Sequence, residues 1–332
     1  MKKTRIFFAY KHTNNPWGGA NNFIRALYDE MRTRSDFDVH HNINLESDII
    51  FFSQLSCGPE NVSAGSKKRY RLSDIKKIKS KSKAKLVVRA VNLNINSHPP
   101  KNLSSIFTYI KTGLWLDIET IGLVNLADFV IFQSEFQKEF FKKWGYKGKN
   151  NTVIHNGAPL IFKNNNFSVK EVNDSLKLVS NSNHKTFKRH EIIAEMSLLD
   201  GVSITHMGNW SDKIKNHRVD IRGTLTHEEI VDIYKNSDYL LHPAINDPCP
   251  NSVVEALHFG LPVIYNNKKG SSQELVRGNG VPIDENNLEK TIQLARENII
   301  FLKQRLLGDR EYYSIKRAVS MYVEVFNKLK NR

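Results

Sequence analysis

Short apolar runs alternate along the whole chain with longer stretches in which apolar positions recur every three to four residues. The runs have the length and β-branched or aromatic content of buried strands, and the longer stretches have the period of amphipathic helices. In the first half, strands are predicted at residues 5–10, 48–52, 84–91, 128–132 and 152–155. Helices fall between them at 20–34, 72–80, 105–123 and 135–144. In the second half the strands are 176–180, 203–207, 219–222, 239–242 and 263–265, with helices at 189–199, 227–236, 251–259 and 288–306. Thr226 followed by Glu229 is the signature of a capping box at the start of one of these helices. Such alternation implies parallel sheets with helices on both faces, an α/β fold. The polar, Asn-rich stretch 162–175 reads as a linker between two Rossmann-like domains. The expected organisation is therefore 1–165, 166–310 and a terminal helix in 311–332.

Composition narrows the class. The chain has 332 residues, 40% of them hydrophobic and 25% charged, which suits two folded domains rather than a disordered chain. No apolar run approaches the roughly 20 residues of a membrane span. The N-terminal MKKTRIFFAYKH has too short an apolar stretch for a signal peptide and reads as a first buried strand. Cys57 and Cys249 are the only cysteines, so neither a disulfide framework nor a cysteine zinc site is expected, and the compartment reads as cytoplasmic.

The charge is uneven. The chain carries a net +15. Residues 1–165 hold 26 Lys and Arg against 13 Asp and Glu, whereas the remainder holds 23 against 21. Residues 66–85 alone contain ten basic residues and one acid. Such an excess points to an anionic partner: nucleic acid, a membrane surface or a phosphorylated substrate.

Candidate chemistry concentrates in residues 238–276, DYLLHPAINDPCPNSVVEALHFGLPVIYNNKKGSSQELV. A strand ends in a loop that holds Asp247, stiffened by Pro248 and Pro250. A helix begins at Asn251, carries Glu255 one turn in and stops at Gly260–Leu261–Pro262. Both carboxylates are thereby expected at the carboxyl end of a parallel sheet, where open α/β folds bind ligands. There they can accept hydrogen bonds from sugar or ribose hydroxyls. The backbone amides of Asn251, Ser252 and Val253 form a helix N-terminus suited to an anion. The one D-x-D, Asp36–Phe37–Asp38 with His40 and His41 nearby, lies far from this segment, and metal is not expected there.

The pattern D-x7-E, then A-L-x-x-G-L-P-V-I, then a Gly/Ser turn and E-L-V resembles the family-four retaining glycosyltransferases of the GT-B fold. Four further segments resemble them in the same order: PWGGANNFIRAL (16–27), ADFVIFQSEF (127–136), VIHNG (153–157) and RGTLTHEEIVDIY (222–234). The resemblance implies two Rossmann-like domains facing each other across a cleft, with the last helix crossing back to the first. It also implies roles. Glu255 would bind the ribose, and Asp247, where relatives more often have Glu, the sugar hydroxyls. Lys188 would neutralise the diphosphate, with Lys185 or Arg189 replacing an Arg that relatives carry about six residues earlier. Gly18, Gly19 and Gly223 would bring backbone close to the ligand. Asn92, where an Asp is usual, and Arg89 would face the cleft, and His98 would be a loop residue.

These roles imply a hexosyltransferase with retention and without metal. Its donor would be a UDP- or GDP-type sugar and its acceptor a growing surface polysaccharide or lipid-linked glycan; no cofactor is expected. Residues Lys67 to Lys85 would dock a peripheral enzyme on an anionic membrane. Two other readings fit the sequence less fully: a GT-B transferase that modifies DNA or another polyanion, and a non-catalytic nucleotide-sugar-binding protein. Neither a helix-turn-helix, an RNP motif nor Cys/His fingers occur, so nucleic acid is not an expected partner.

Overall fold

A computed structural model describes residues 3–9, 19–41, 46–53, 70–163 and 175–330. Gly18, Cys57, Lys67 to Arg69 and most of the Asn-rich linker lie outside the described residues. The chain divides into two compact units, Met1–His155 with Ile315–Arg332 and Asn156–Ser314. The change of unit thus comes at residue 156, ahead of the Asn-rich stretch.

The first unit contains β1 (Thr4–Phe8), α1 (Gly19–Arg32), β2 (Phe37–His40), β3 (Ile49–Phe52), α2 (Leu72–Lys81), β4 (Lys85–Arg89), α3 (Asn94–Ser97), α4 (Leu103–Thr112), α5 (Leu114–Leu126), β5 (Phe129–Phe132), α6 (Glu135–Lys143) and β6 (Asn151–Val153). Its parallel sheet has the order β2-β1-β3-β4-β5-β6. Every residue of β3 and β5 is buried, as expected of central strands covered on both faces.

The second unit contains β7 (Leu176–Asn181), α7 (His190–Met196), β8 (Val202–Met207), β9 (Asp220–Gly223), α8 (His227–Lys235), β10 (Tyr239–His242), α9 (Asn251–Phe259), β11 (Val263–Tyr265), α10 (Ser272–Val276), β12 (Gly280–Pro282) and α11 (Leu288–Asp309). Its parallel sheet runs β12-β11-β10-β7-β8-β9. The chain moves outward from β7 to β9, then returns to lay β10 on the other side of β7. The final helix, α12 (Ile315–Lys330), belongs to the first unit. Its apolar stripe enters that unit's core, where Tyr322 and Phe326 meet Phe51 edge-on at 5.9 Å.

Several features depart from the sequence expectation, among them the short helices α3 and α10, which lie outside the expected set. The helix expected over 105–123 is two helices, α4 and α5, broken at Gly113. A Cβ there would lie 2.7 Å from the Tyr109 ring, so the glycine permits a close fold-back that apolar periodicity cannot register. Strands β2 and β12 also lay outside the predicted set. Both are edge strands, and their sequences FDVH and GVP lack a continuous apolar run. The capping box expected at Thr226 is present, with Thr226 N–H donating to Glu229 at 2.7 Å.

Candidate active site

The chain direction across the second sheet reverses between β7 and β10, and a crevice opens beyond adjacent carboxyl ends at such a point. The segment after β7 folds into a short 3-10 turn, Thr186–Lys188. Residues 243–250 follow β10 and lead into α9. Backbone hydrogen bonds lace these pieces together. Ile245 N–H donates to the Phe187 carbonyl at 2.9 Å, and Asn246 N–H to that of Lys269 at 3.3 Å. Ser271 donates both its N–H and its hydroxyl to the Asp247 carbonyl, each at 3.0 Å. Asn246 sits at φ 57°, and Gly270, at φ 116°, packs so closely that a Cβ on it would lie 3.2 Å from the Asn246 nitrogen. The Gly/Ser turn at 270–272 therefore fixes the loop that presents Asp247.

Four ionisable side chains are set into this scaffold. Lys188 Nζ donates to Asp247 Oδ2 at 2.7 Å, joining the loops after the two central strands. Burial pushes the Asp247 carboxyl up, but Lys188, neighbouring His242 and the Cys249 amide outweigh it and hold it below the ordinary value. His242, the last residue of β10, is pushed down to about 3, first by burial and then by the Lys188 charge. It is neutral at pH 7, and its Nε2 is buried without a hydrogen-bond partner.

Glu255 differs from the other three. It is 7% exposed, and burial alone raises its carboxyl to about 7. No hydrogen bond or ion pair to it occurs among the described residues. Tyr234 lies close enough that the Glu255 charge adds to burial in raising its phenol. A carboxylate so buried is costly unless hydrogen-bond donors reach it.

The other sequence-selected groups have varied placements. Arg189 has φ 56°, and its guanidinium forks onto Glu285 with two 2.8 Å hydrogen bonds. Asn266 supports that carboxylate at 2.7 Å, and Arg189 foremost holds Glu285 down to about 2. This partnership distinguishes Arg189 from Lys185, which is exposed with its ammonium 5.9 Å from the Phe187 ring.

At the start of α9 there is no acidic residue in the first turn. Asn251 and Ser252 are half-buried, and the Val253 amide donates back to the Pro250 carbonyl at 3.1 Å. Asn156 ties this turn down: its side-chain amide donates to Asn251 Oδ1 at 2.7 Å, and its backbone N–H to Cys249 Sγ at 3.4 Å. Gly223 ends β9 with φ 66°, and a Cβ there would meet open space.

The first unit treats its candidates otherwise. Gly19 opens α1. Arg89, expected to face a cleft, is fully buried in the core, its guanidinium 4.8 Å from the Phe23 ring and donating to Gln133. The correction has a simple cause: Arg89 is the last residue of β4, and its guanidinium packs over the Phe23 ring inside the core. Asn92 donates to Ser97 Oγ at 2.8 Å and accepts from Asn96 at 2.6 Å, closing the turn that carries α3. His98 is exposed. In the D-x-D, Asp36 is gripped by Arg34 through two 3.0 Å hydrogen bonds.

Sequence reasoning passed over His242, Asn156, Asn266, Ser271 and Glu285. His242 carried a signal, as the first polar residue closing a buried run; the others act through contacts distant in sequence.

Residues 161–305 match the sequence profile of the family Glycosyl transferases group 1. No curated protein sequence matches the chain significantly. Among solved structures, Anabaena HepE in complex with UDP and glucose aligns at a TM-score of 0.66 and 15% identity, covering 98% of this chain and all of that one. Sucrose-phosphate synthase from Thermosynechococcus elongatus aligns at 0.68 and 13% identity, covering 99% of both chains. WaaG, a glycosyltransferase involved in lipopolysaccharide biosynthesis, aligns at 0.62 and 14% identity, covering 96% of this chain and 99% of that one. The fold is thus that of the GT-B glycosyltransferases, and the segment carrying Lys188, Asp247 and Glu255 has the sequence of the Glycosyl transferases group 1 family.

Proposed function

We propose that the protein is a hexosyltransferase that moves a sugar from a nucleoside-diphosphate sugar to a glycan or lipid-linked acceptor, with retention at the anomeric carbon and without a metal. The observation that carries this reading is Glu255, a buried carboxyl with no protein donor among the described residues, at the carboxyl end of a parallel sheet. Ribose hydroxyls are donors of the right kind. They would complete its hydrogen bonding and favour the ionised form. The complexes of HepE with UDP and with UDP-glucose support a UDP-type donor for this fold, and a GDP-type donor is the other candidate.

Transfer breaks the bond between the anomeric carbon and the diphosphate oxygen, and an acceptor hydroxyl adds to that carbon as it loses its proton. Negative charge grows on the departing diphosphate, while the sugar becomes oxocarbenium-like. Preorganised positive groups at the diphosphate lower that barrier. Lys188, exposed Lys185 and the acid-free start of α9 at Asn251 and Ser252 fill that role, whereas the Val253 amide is already taken by the Pro250 carbonyl. Without donor, Lys188 is held by Asp247. When the diphosphate takes the ammonium, Asp247 is released to accept from sugar hydroxyls. The ion pair thus keeps both groups in place for a ligand that engages each separately. Gly223, where a Cβ would meet open space, leaves room for close approach of a ligand to the backbone, and Asn92 supports its turn.

The pathway assigned is surface polysaccharide synthesis at the cytoplasmic face of a membrane, the acceptor being glycan or lipid-linked. The basic stretch from Lys67 to Lys85, of which Lys76, Lys77, Lys81 and Lys83 are exposed, would add attraction to anionic lipid at roughly 1 kcal/mol per residue near the surface. The test is donor hydrolysis and transfer across a panel of UDP- and GDP-sugars. Turnover of one donor, abolished by Glu255→Ala in a folded protein, is expected. Absence of both turnover and binding across the panel would overturn the assignment.

A further inference from the structure

On the hairpin formed by α4 and α5, the usual distribution of residues is inverted. Both acids of α5 are buried: Asp117 is 2% exposed and Glu119 8%. Asp117 Oδ1 accepts from Asn94 N–H at 2.7 Å, and its Oδ2 accepts from Ile95 N–H at 2.9 Å and the Tyr109 hydroxyl at 3.0 Å. These bonds hold α3, α4 and α5 as one rigid piece. Against solvent the same piece presents Leu103, Phe107, Ile110, Trp115 and Ile118, with Phe107 at 69% and Trp115 at 61% exposure. Leu103, Ile106, Phe107 and Ile110 fall at the i, i+3, i+4, i+7 spacing of one helix face, and no residue of α4 is buried. The hairpin therefore displays the stripe that a surface helix normally turns inward, and contiguous apolar surface of this kind marks an interaction site.

Charge identifies the occupant. Neither α4 nor α5 exposes an acid, whereas Lys101 and Lys111 are exposed beside the stripe. Helix α2 crosses α5 closely, Leu72 lying where a Cβ on Gly122 would fall, and it exposes Lys76 and Lys77. Apolar side chains flanked by lysines, on helices of 10 and 13 residues that are too short to span a bilayer, have the composition of an interfacial anchor. We propose that the α4–α5 hairpin of the first unit inserts its apolar face into an anionic lipid surface, with the neighbouring lysines on the headgroups. This inference is independent of the donor chemistry, and its test reads lipid binding rather than turnover.

The experiment is co-sedimentation of the full chain with vesicles of phosphatidylcholine alone and of phosphatidylcholine with phosphatidylglycerol, alongside sizing without lipid. Wild type is expected to pellet with the anionic vesicles. Phe107→Ser with Trp115→Ser is expected to bind roughly tenfold or more weakly, since two large apolar groups no longer leave water. Both side chains are exposed, so the variant should keep its circular dichroism spectrum and melting temperature. As a second variant, Lys76→Glu with Lys77→Glu should lose the preference for anionic vesicles. Wild type remaining in solution would overturn the proposal, as would serine variants that bind like wild type. Concentration-dependent dimers that the serine substitutions disperse would assign the face to a second copy of the chain instead.

Discussion

Each unit buries charged or polar side chains at or after the ends of its central strands, but the two do so to different ends. In the first unit Asp117 is spent on two backbone amides and the Tyr109 hydroxyl, and Arg89 packs over the Phe23 ring. In the second unit Lys188 and Asp247 form an ion pair across two loops, His242 keeps a buried nitrogen without a partner, and Glu255 has no protein donor among the described residues. Charge whose partners are supplied by its own fold is structural. Charge left incomplete at the reversal of a parallel sheet is held for a ligand.

The comparison breaks most readily at the second unit. Asp247→Ala or Glu255→Ala should lower transfer by about two to three orders of magnitude, the scale of losing a preorganised polar contact to the reacting group. Initial rates with the best donor of the panel check this, and near wild-type rates in either variant would remove that residue from the site. The next effect is on stability. Lys188→Ala leaves the Asp247 carboxylate buried and uncompensated, a loss of about 3 kcal/mol in urea unfolding at pH 7. Asp247→Ala in the same chain should restore most of that loss while activity stays lost.

Glu255 gives the third prediction. Its folded value near 7 exceeds the ordinary 4.5, so the folded state holds the extra proton between these values. Its contribution to stability is then full below pH 4.5 and declines as pH rises to 7, by about 3 kcal/mol in total. Glu255→Gln should flatten the dependence of unfolding free energy on pH over that window by a comparable amount. At Arg89 the roles reverse. Arg89→Ala should destabilise the first unit by about 2 kcal/mol through lost packing and hydrogen bonding, yet leave donor binding by folded protein unchanged. The smallest effect expected is at Lys185, exposed and unpaired with any acid in the described residues. Lys185→Ala should raise the donor KM by less than about tenfold with little change in kcat.

Much of this contrast was legible in the chain. The strand at Tyr239–His242, the helix Asn251–Phe259 and the Gly260 stop follow from an apolar run, prolines and a glycine, and Asp247 and Glu255 stand out as carboxylates placed around them. What the pattern could not convey was how each charge is used. Arg89 read as a basic residue facing the cleft and Arg189 as a partner for the diphosphate. Only the tertiary structure shows one over Phe23 and the other forked onto Glu285, 96 positions away. The break at Gly113 was hidden for the same reason, since the Tyr109 ring that requires it belongs to the same apolar period as its neighbours. The inverted exposure of Phe107 and Trp115 was equally invisible, because a helical stripe has the same spacing whether it faces core or solvent.

The claim that Glu255 is the incomplete partner of a donor is tested most directly by calorimetric titration of wild type and Glu255→Gln with the tightest-binding UDP- or GDP-sugar at pH 6 and pH 8. Nucleotide-sugars carry no group of their own that titrates between these values. The account predicts tighter binding to wild type at pH 8 than at pH 6, with proton release near neutral pH as ligand hydroxyls favour the carboxylate. It predicts weak, pH-independent binding to Glu255→Gln. Equal affinity of the two proteins at both pH values, with no proton released by wild type, would contradict it.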